Sequence, residues 1–195
     1  MPGSEDLRAA ALHELHAWAP TDRGQADLRA IYVAHLDEHV DGVWRECRAG
    51  HVTASAIIVD PVHERVLLTL HPLVGRWLQT GGHCEPADVG LPEAALREAR
   101  EEGGIDDLVV VPGIVRLDRH EVRCRSDLLH HLDVQYLVVA PAGAVHRRSA
   151  ESLDLAWWPW EALPEPTDES VRLLVRAARA RLEGPGPASW DGTPG

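Results

Sequence analysis

The chain has 195 residues, of which 45% are hydrophobic and 26% charged, enough for one domain of ordinary size with a real core. That composition excludes a disordered chain and leaves no room for a second large domain. A formal net charge of −12 sets a repulsive field against nucleic acid and anionic membrane, so an anionic substrate would need local help from a cation.

In chain order, residues 4 to 18 and about 25 to 47 carry apolar side chains at helical spacing, with Ser4 and Thr21 as candidate N-caps and Pro20 as a break between them. The N-terminus, with Glu5 and Asp6, lacks the layout of a secretory signal, and no apolar run is long enough to span a membrane. A cytoplasmic location is expected. From His51 the texture becomes β-rich: VTASAIIVD, then RVLLTLH after Asp60-Pro61, then RWLQT ahead of Gly81-Gly82. A helix is predicted over 91–103. LVVVPGIVRL follows as a strand bent near Pro112-Gly113, with LDVQYLVVA and LDLAWWPW as two more strands. A last helix covers about 169–182, and the Pro/Gly-rich stretch from Gly184 reads as a disordered tail. Strands mixed with helices, without regular alternation, predict a mixed sheet packed between helices.

The chemistry sits on the helix over 91–103. With Glu98 at zero on the helical wheel, Glu102 lies near about +40° and Glu101 near about −60°, so three carboxylates share one face. Pro92, Leu96, Ala99 and Gly103 form the neighbouring apolar arc in this reading. Like charges crowded against a core repel and resist desolvation unless a cation compensates. Hard carboxylate oxygens select Mg²⁺ or Mn²⁺, and such a platform suits phosphoanhydride chemistry. The plain alternative is a solvated charged face with Arg97 and Glu101 as an i,i+4 pair. The context decides against it: a strand ending in Gly81-Gly82 and a loop with Pro86, Gly90 and Pro92 precede the helix, and Gly104 with Ile105 follows it.

This stretch, GGHCEPADVGLPEAALREAREEGGI, resembles the Nudix box. The box reads Gly, five residues, Glu, seven residues, then Arg-Glu-aliphatic-any-Glu-Glu-any-Gly-aliphatic. Gly82 supplies the first glycine, Arg97, Glu98, Glu101, Glu102, Gly104 and Ile105 match the helical half, and Ala99 is a small version of the aliphatic. Two departures stand out. Asp88 replaces the first Glu, and eight residues instead of seven separate it from Arg97, as a one-residue loop insertion would produce. In the family this acid braces the loop against the arginine, a part that Asp88 can play. The later LDLAWWPWEALP also resembles the family's Trp-aromatic strand, so the likeness spans residues 49–183, with 1–48 as a helical extension and 184–195 as the tail.

The resemblance implies an α/β (α+β) Nudix fold, a mixed sheet sandwiched between helices, and Mg²⁺-dependent hydrolysis of a nucleoside diphosphate linked to another group. It implies Glu98, Glu101 and Arg97 as catalytic residues, with Arg97 orienting the glutamates, and Glu98, Glu101, Glu102 and the Gly81 carbonyl around the metal. The base is Glu98 or Glu101, or a later acid: Glu121, Asp133 and Glu151 are candidates that otherwise read as ordinary surface acids. His83, His71 and Arg76 are placed to meet a substrate phosphate or leaving group. The partner is a small nucleotide or diphosphate, with no stable nucleic acid, no membrane, and homodimers common in the family. A Nudix-fold module that binds a nucleotide without turnover is the alternative. A diphosphate isomerase on this fold would need a further Cys and Glu that have no assignment here.

Other chemistry-bearing residues give weaker signals. His130-His131 reads as a loop-end pair, His35 and His39 stand i,i+4 on a helix, and Cys47 with His51 suggests zinc but lacks a third close ligand. Three cysteines, Cys47, Cys84 and Cys124, do not make a disulfide framework. Cys84 reads as a buried strand-end thiol. Trp44, Trp77, Trp157, Trp158 and Trp160 read mostly as core, with one at most stacking a base.

Overall fold

The computed structural model describes residues 4–124, 127–150 and 152–184, with the side chains of 4, 5 and 123–128 left aside. Glu151 and the tail from 185 therefore lie outside the described residues.

Two helices come first: α1 (Ser4–Ala17) and α2 (Arg23–Glu38). The expected second helix was longer, but it stops at Glu38. His39 adopts an extended backbone and the chain to Gly50 runs through turns. Its N-cap is Asp22 and not Thr21: the Asp22 carboxylate accepts the Gln25 amide at 2.9 Å, while Thr21 donates to Asp22.

The strands are β1 (His51–Asp60), β2 (Arg65–Leu70), β3 (Trp77–Leu78), β4 (Thr80–His83), β5 (Val109–Val110), β6 (Arg116–Cys124), β7 (Asp127–Val139) and β8 (Asp154–Pro159). They form one mixed sheet in the order β3-β2-β1-β7-β5, with β4 on β1, β6 on β7 and β8 on β2. The β1–β7 pair is parallel, from His51↔His131 to Val59↔Val139, and the other pairs are antiparallel. Every residue of β1 is buried, as a central strand covered on both faces requires.

Alternation along β1 divides the interior. Val52, Ala54, Ala56 and Ile58 meet α3 (Leu91–Gly103) and the N-terminal helices, whereas Ile57 and Val59 meet α4 (Glu169–Glu183). Leu7, Ala11 and Leu15 of α1 and Tyr32 and Leu36 of α2 belong to the same cluster as Ala94, Ala95 and Ala99 of α3. The N-terminal helices are thus fastened into the sheet's own core. Tyr136 of β7 donates to Glu14 of α1 at 2.8 Å. Gln25 of α2 exchanges two hydrogen bonds, at 3.0 and 2.8 Å, with the backbone of Leu117 in β6. No described helix is long and apolar enough to cross a membrane.

Trp77 and Trp158 meet edge to face at 5.3 Å, and the Arg65 and Arg179 guanidinium groups lie over Trp157 and Trp160.

Candidate active site

α3 is set by its ends. Gly90 caps the start with extended backbone, Pro92 occupies the first turn, and Gly104 stops the helix in the left-handed conformation, its N–H on the Arg100 carbonyl. The buried residues of α3 are Leu91, Ala94, Ala95, Ala99 and Gly103. Pro92 and Leu96 are only partly buried, so the apolar arc is rotated from the one expected, towards the glutamates. The reason is size: alanines at 94, 95 and 99 let the helix settle on β1 and β4 along this side, and Gly103 seats within van der Waals reach of Ile58.

Glu98 and Glu102 are therefore drawn against the glycine-ended strand. A Cβ at Gly82 would stand 2.5 Å from Glu98 Oε1, so only glycine leaves room for that carboxylate. The Gly81 amide points to Glu102 Oε1 at 3.4 Å. Glu98 is 14% exposed, whereas Glu101 is 59% exposed.

Arg97 holds the arrangement. Its five N–H groups have five acceptors: Asp88 Oδ1 and Oδ2, each at 3.1 Å, the His83 carbonyl at 2.9 Å, Glu98 Oε1 at 2.9 Å and Glu101 Oε2 at 3.3 Å. The guanidinium has no donor left for a further partner. Asp88, the acid displaced by the loop insertion, also accepts the Glu85 amide at 2.7 Å, so it braces loop and helix together.

On the far face of β4, a Cβ at Gly81 would meet that of Ser55 at 2.3 Å. Ser55 and Thr53 donate to Asp133, at 2.6 and 3.0 Å, and the Gln135 amide reaches the same carboxylate at 3.2 Å. Asp133, a candidate base that otherwise reads as a surface acid, is 3% exposed within β7, and burial raises its proton affinity above the ordinary carboxylate value. Glu121 is exposed, 3.8 Å from His130.

The expected substrate contacts divide. His71 and Arg76 close the exposed β2–β3 hairpin, where the His71 amide bonds the Arg76 carbonyl and Arg76 pairs with Asp168 at 3.0 Å. His83 touches the site through its carbonyl on Arg97, but its ring turns to the opposite face, towards His51 and His131. The reason is strand alternation, since His83 pairs with Thr53 and shares its face. His131 lies within β7 and not in a loop. The Cys47 thiol groups with His39 and Asp41, while its carbonyl, and not its sulfur, faces the His51 ring. Cys84 is buried, and that burial pushes its thiol up to about 12, which leaves it inert as a nucleophile.

This geometry accompanies a family match: the NUDIX domain model covers residues 50–195. The chain belongs to the Nudix hydrolase family. No curated protein matches it. Among solved structures it is similar to the E. coli dihydroneopterin triphosphate pyrophosphohydrolase, with TM-score 0.55 and 20% identity over 64% of this chain and 92% of that one. It is similar to a C. elegans Ap4A hydrolase in a binary complex, with TM-score 0.54 and 18% identity over 68% and 97% of the two chains. It is also similar to the NUDIX domain of Shewanella oneidensis NrtR complexed with ADP ribose, with TM-score 0.51 and 21% identity over 70% and 90%. At these identities the likeness is one of fold.

Proposed function

We propose that the protein hydrolyses a phosphoanhydride in a nucleoside diphosphate linked to a further group, with Mg²⁺ or Mn²⁺ as cofactor. The supporting observation is the seating of Glu98 and Glu102 against Gly81-Gly82, where a side chain at 82 would displace the carboxylate. The donor set fits a hard divalent ion, since it offers carboxylate oxygens beside a strand whose glycines admit close approach. Glu98, Glu101, Glu102 and the Gly81 carbonyl would hold that ion, which when bound neutralises phosphate charge and polarises phosphorus towards water.

The chain's own residues do the rest. Arg97 fixes the Glu98 and Glu101 carboxylates while its bond to the His83 carbonyl ties α3 to β4. Glu98 or Glu101 takes the proton of the attacking water. His71 and Arg76, on the exposed hairpin, are assigned to substrate contact. His83 contributes its carbonyl and not its ring.

The test is a hydrolysis panel of nucleoside triphosphates, nucleotide sugars, ADP-ribose and dinucleoside polyphosphates with Mg²⁺ and Mn²⁺, followed by ¹⁸O-water labelling to locate the attacked phosphorus. Glu98→Gln and Glu102→Gln should each lower turnover by a factor on the order of a thousand with the fold intact. Near-normal rates in both would remove the metal assignment. Tight binding without product release would favour the binding module instead.

A further inference from the structure

A second cluster of metal-ligating side chains lies on the face of the sheet away from the glutamates. His51 opens β1, His83 closes β4 and His131 lies in β7. Register brings them together: His51 is the parallel partner of His131, and Thr53, the next residue on the same face of β1, is the partner of His83. Ring centroids stand 4.7 Å apart for His51 and His131, 5.0 Å for His51 and His83, and 5.2 Å for His83 and His131.

His51 is fully buried, with 0% exposure, and neither ring nitrogen has a hydrogen-bond partner. The Cys47 carbonyl faces that ring without reaching hydrogen-bonding geometry. Nε2 of His83 is likewise buried and unpartnered. A sheet face built only for packing would carry apolar or hydrogen-bonded side chains here, because a buried polar group without a partner is destabilising. One ligating nitrogen from each ring lies within 4.8 Å of the other two.

We propose that His51, His83 and His131 bind one zinc-like divalent transition ion, which staples β1, β4 and β7 together next to the glycine pair. Imidazole suits such ions, whereas the carboxylates across the sheet suit Mg²⁺, so the two sites are chemically separate. With Zn–N of about 2.0–2.1 Å in tetrahedral geometry, ligand nitrogens sit roughly 3.3 Å apart, a closure that small side-chain rotations supply. Burial first, and neighbouring rings second, push His51 down to about 4 and His131 down to about 3, so both are neutral near pH 7 and ready to ligate. Water is the ligand for the fourth position, and the exposed Arg45 and Glu46 act on His51 and His83 with opposite sign. His120 marks the outer limit: its ring is 5.6 Å from that of His131, but its Nδ1 is engaged by Asp118 at 2.8 Å.

The rival among the described residues is His39, Asp41 and Cys47, whose ligand atoms are equally close and include a thiol. Cobalt distinguishes the two. The full-length protein, stripped with a chelator and kept in excess Mg²⁺, is titrated with Co²⁺ and then Zn²⁺. The expected result is one Co²⁺ per chain with visible bands of a four-coordinate site, no near-ultraviolet thiolate charge-transfer band, displacement by Zn²⁺ and a raised Tm. His51→Ala and His131→Ala should abolish the visible bands, while Cys47→Ser and Glu98→Gln should keep them. If the histidine variants fail to fold, the wild-type and Cys47→Ser spectra decide alone. A thiolate band, loss of the signal in Cys47→Ser, or no cobalt bound in excess Mg²⁺ would overturn the site.

Discussion

Asp88 and Arg97 meet side on, with Nε on Oδ1 and Nη2 on Oδ2 at 3.1 Å each, and this fork joins the loop after β4 to the helix that carries the glutamates. The extra residue between Asp88 and Arg97 leaves the pairing intact, both carboxylate oxygens being engaged. Asp88→Asn keeps the shape but loses one oxygen acceptor and the charge. Activity should fall about 10–100-fold, as for other groups that orient metal-site residues, while circular dichroism stays native. Unchanged kcat/KM would show that the fork does not position the site.

Gly82 gives a sharper test of the seating. In Gly82→Ala the new methyl group would press on the Glu98 carboxylate, which can swing away because it ends a flexible side chain. A shift of about 1 Å at a catalytic group costs on the order of a hundredfold in rate. The variant should therefore melt within a few degrees of the parent yet turn over at least that much more slowly. Comparable turnover would mean that Glu98 does not work from this position.

Gly104 should behave in the opposite way. Its φ is 62°, and a Cβ there would stand 2.4 Å from the Arg147 carbonyl, a backbone atom that cannot rotate aside. Gly104→Ala is expected to lose about 2–3 kcal/mol of stability in chemical denaturation. A loss below about 0.5 kcal/mol, the range of ordinary surface substitutions, would contradict the helix-stop argument.

Asp60 sets an acid limit. Burial pushes its carboxyl up, but the Gly143 amide, His63 and Arg65 together outweigh this and hold it below the ordinary 3.8. A carboxyl depressed in the folded state adds stability that is fully present above the unfolded value and is lost as pH falls through the folded one. Asp60→Asn should thus cost about 1.5–3 kcal/mol at pH 7. That difference should hold down to about pH 4.5 and shrink below 3.8. Urea titrations of both proteins across this range would read it, and a gap that widens in acid would refute the assignment.

What the sequence disclosed depended on whether a signal was local. The glutamate helix, its glycine stop and strands such as RVLLTL follow from spacing within a dozen residues, and they stand within a residue or two of where periodicity puts them. RLDRHEVRC escaped because its charged, outermost strand has little apolar alternation, so β6 showed only through its pairing with β7. The histidine cluster escaped for a different reason: residues 51, 83 and 131 become neighbours only through cross-strand register. Within the site, the helix wheel marked the three carboxylates, but the choice of Glu98 and Glu102 as the half-buried pair comes from the alanines that set the packing side.

The paired bonds between the Gln25 amide and Leu117 have a consequence for how this protein can be cut. A side chain here supplies the donor and acceptor that another strand would otherwise supply, and so blunts the open flank of the sheet. A version beginning after α2 would bare that flank together with the apolar surface that covered it. It would then recruit further copies edge to edge and precipitate before its catalysis could be assayed.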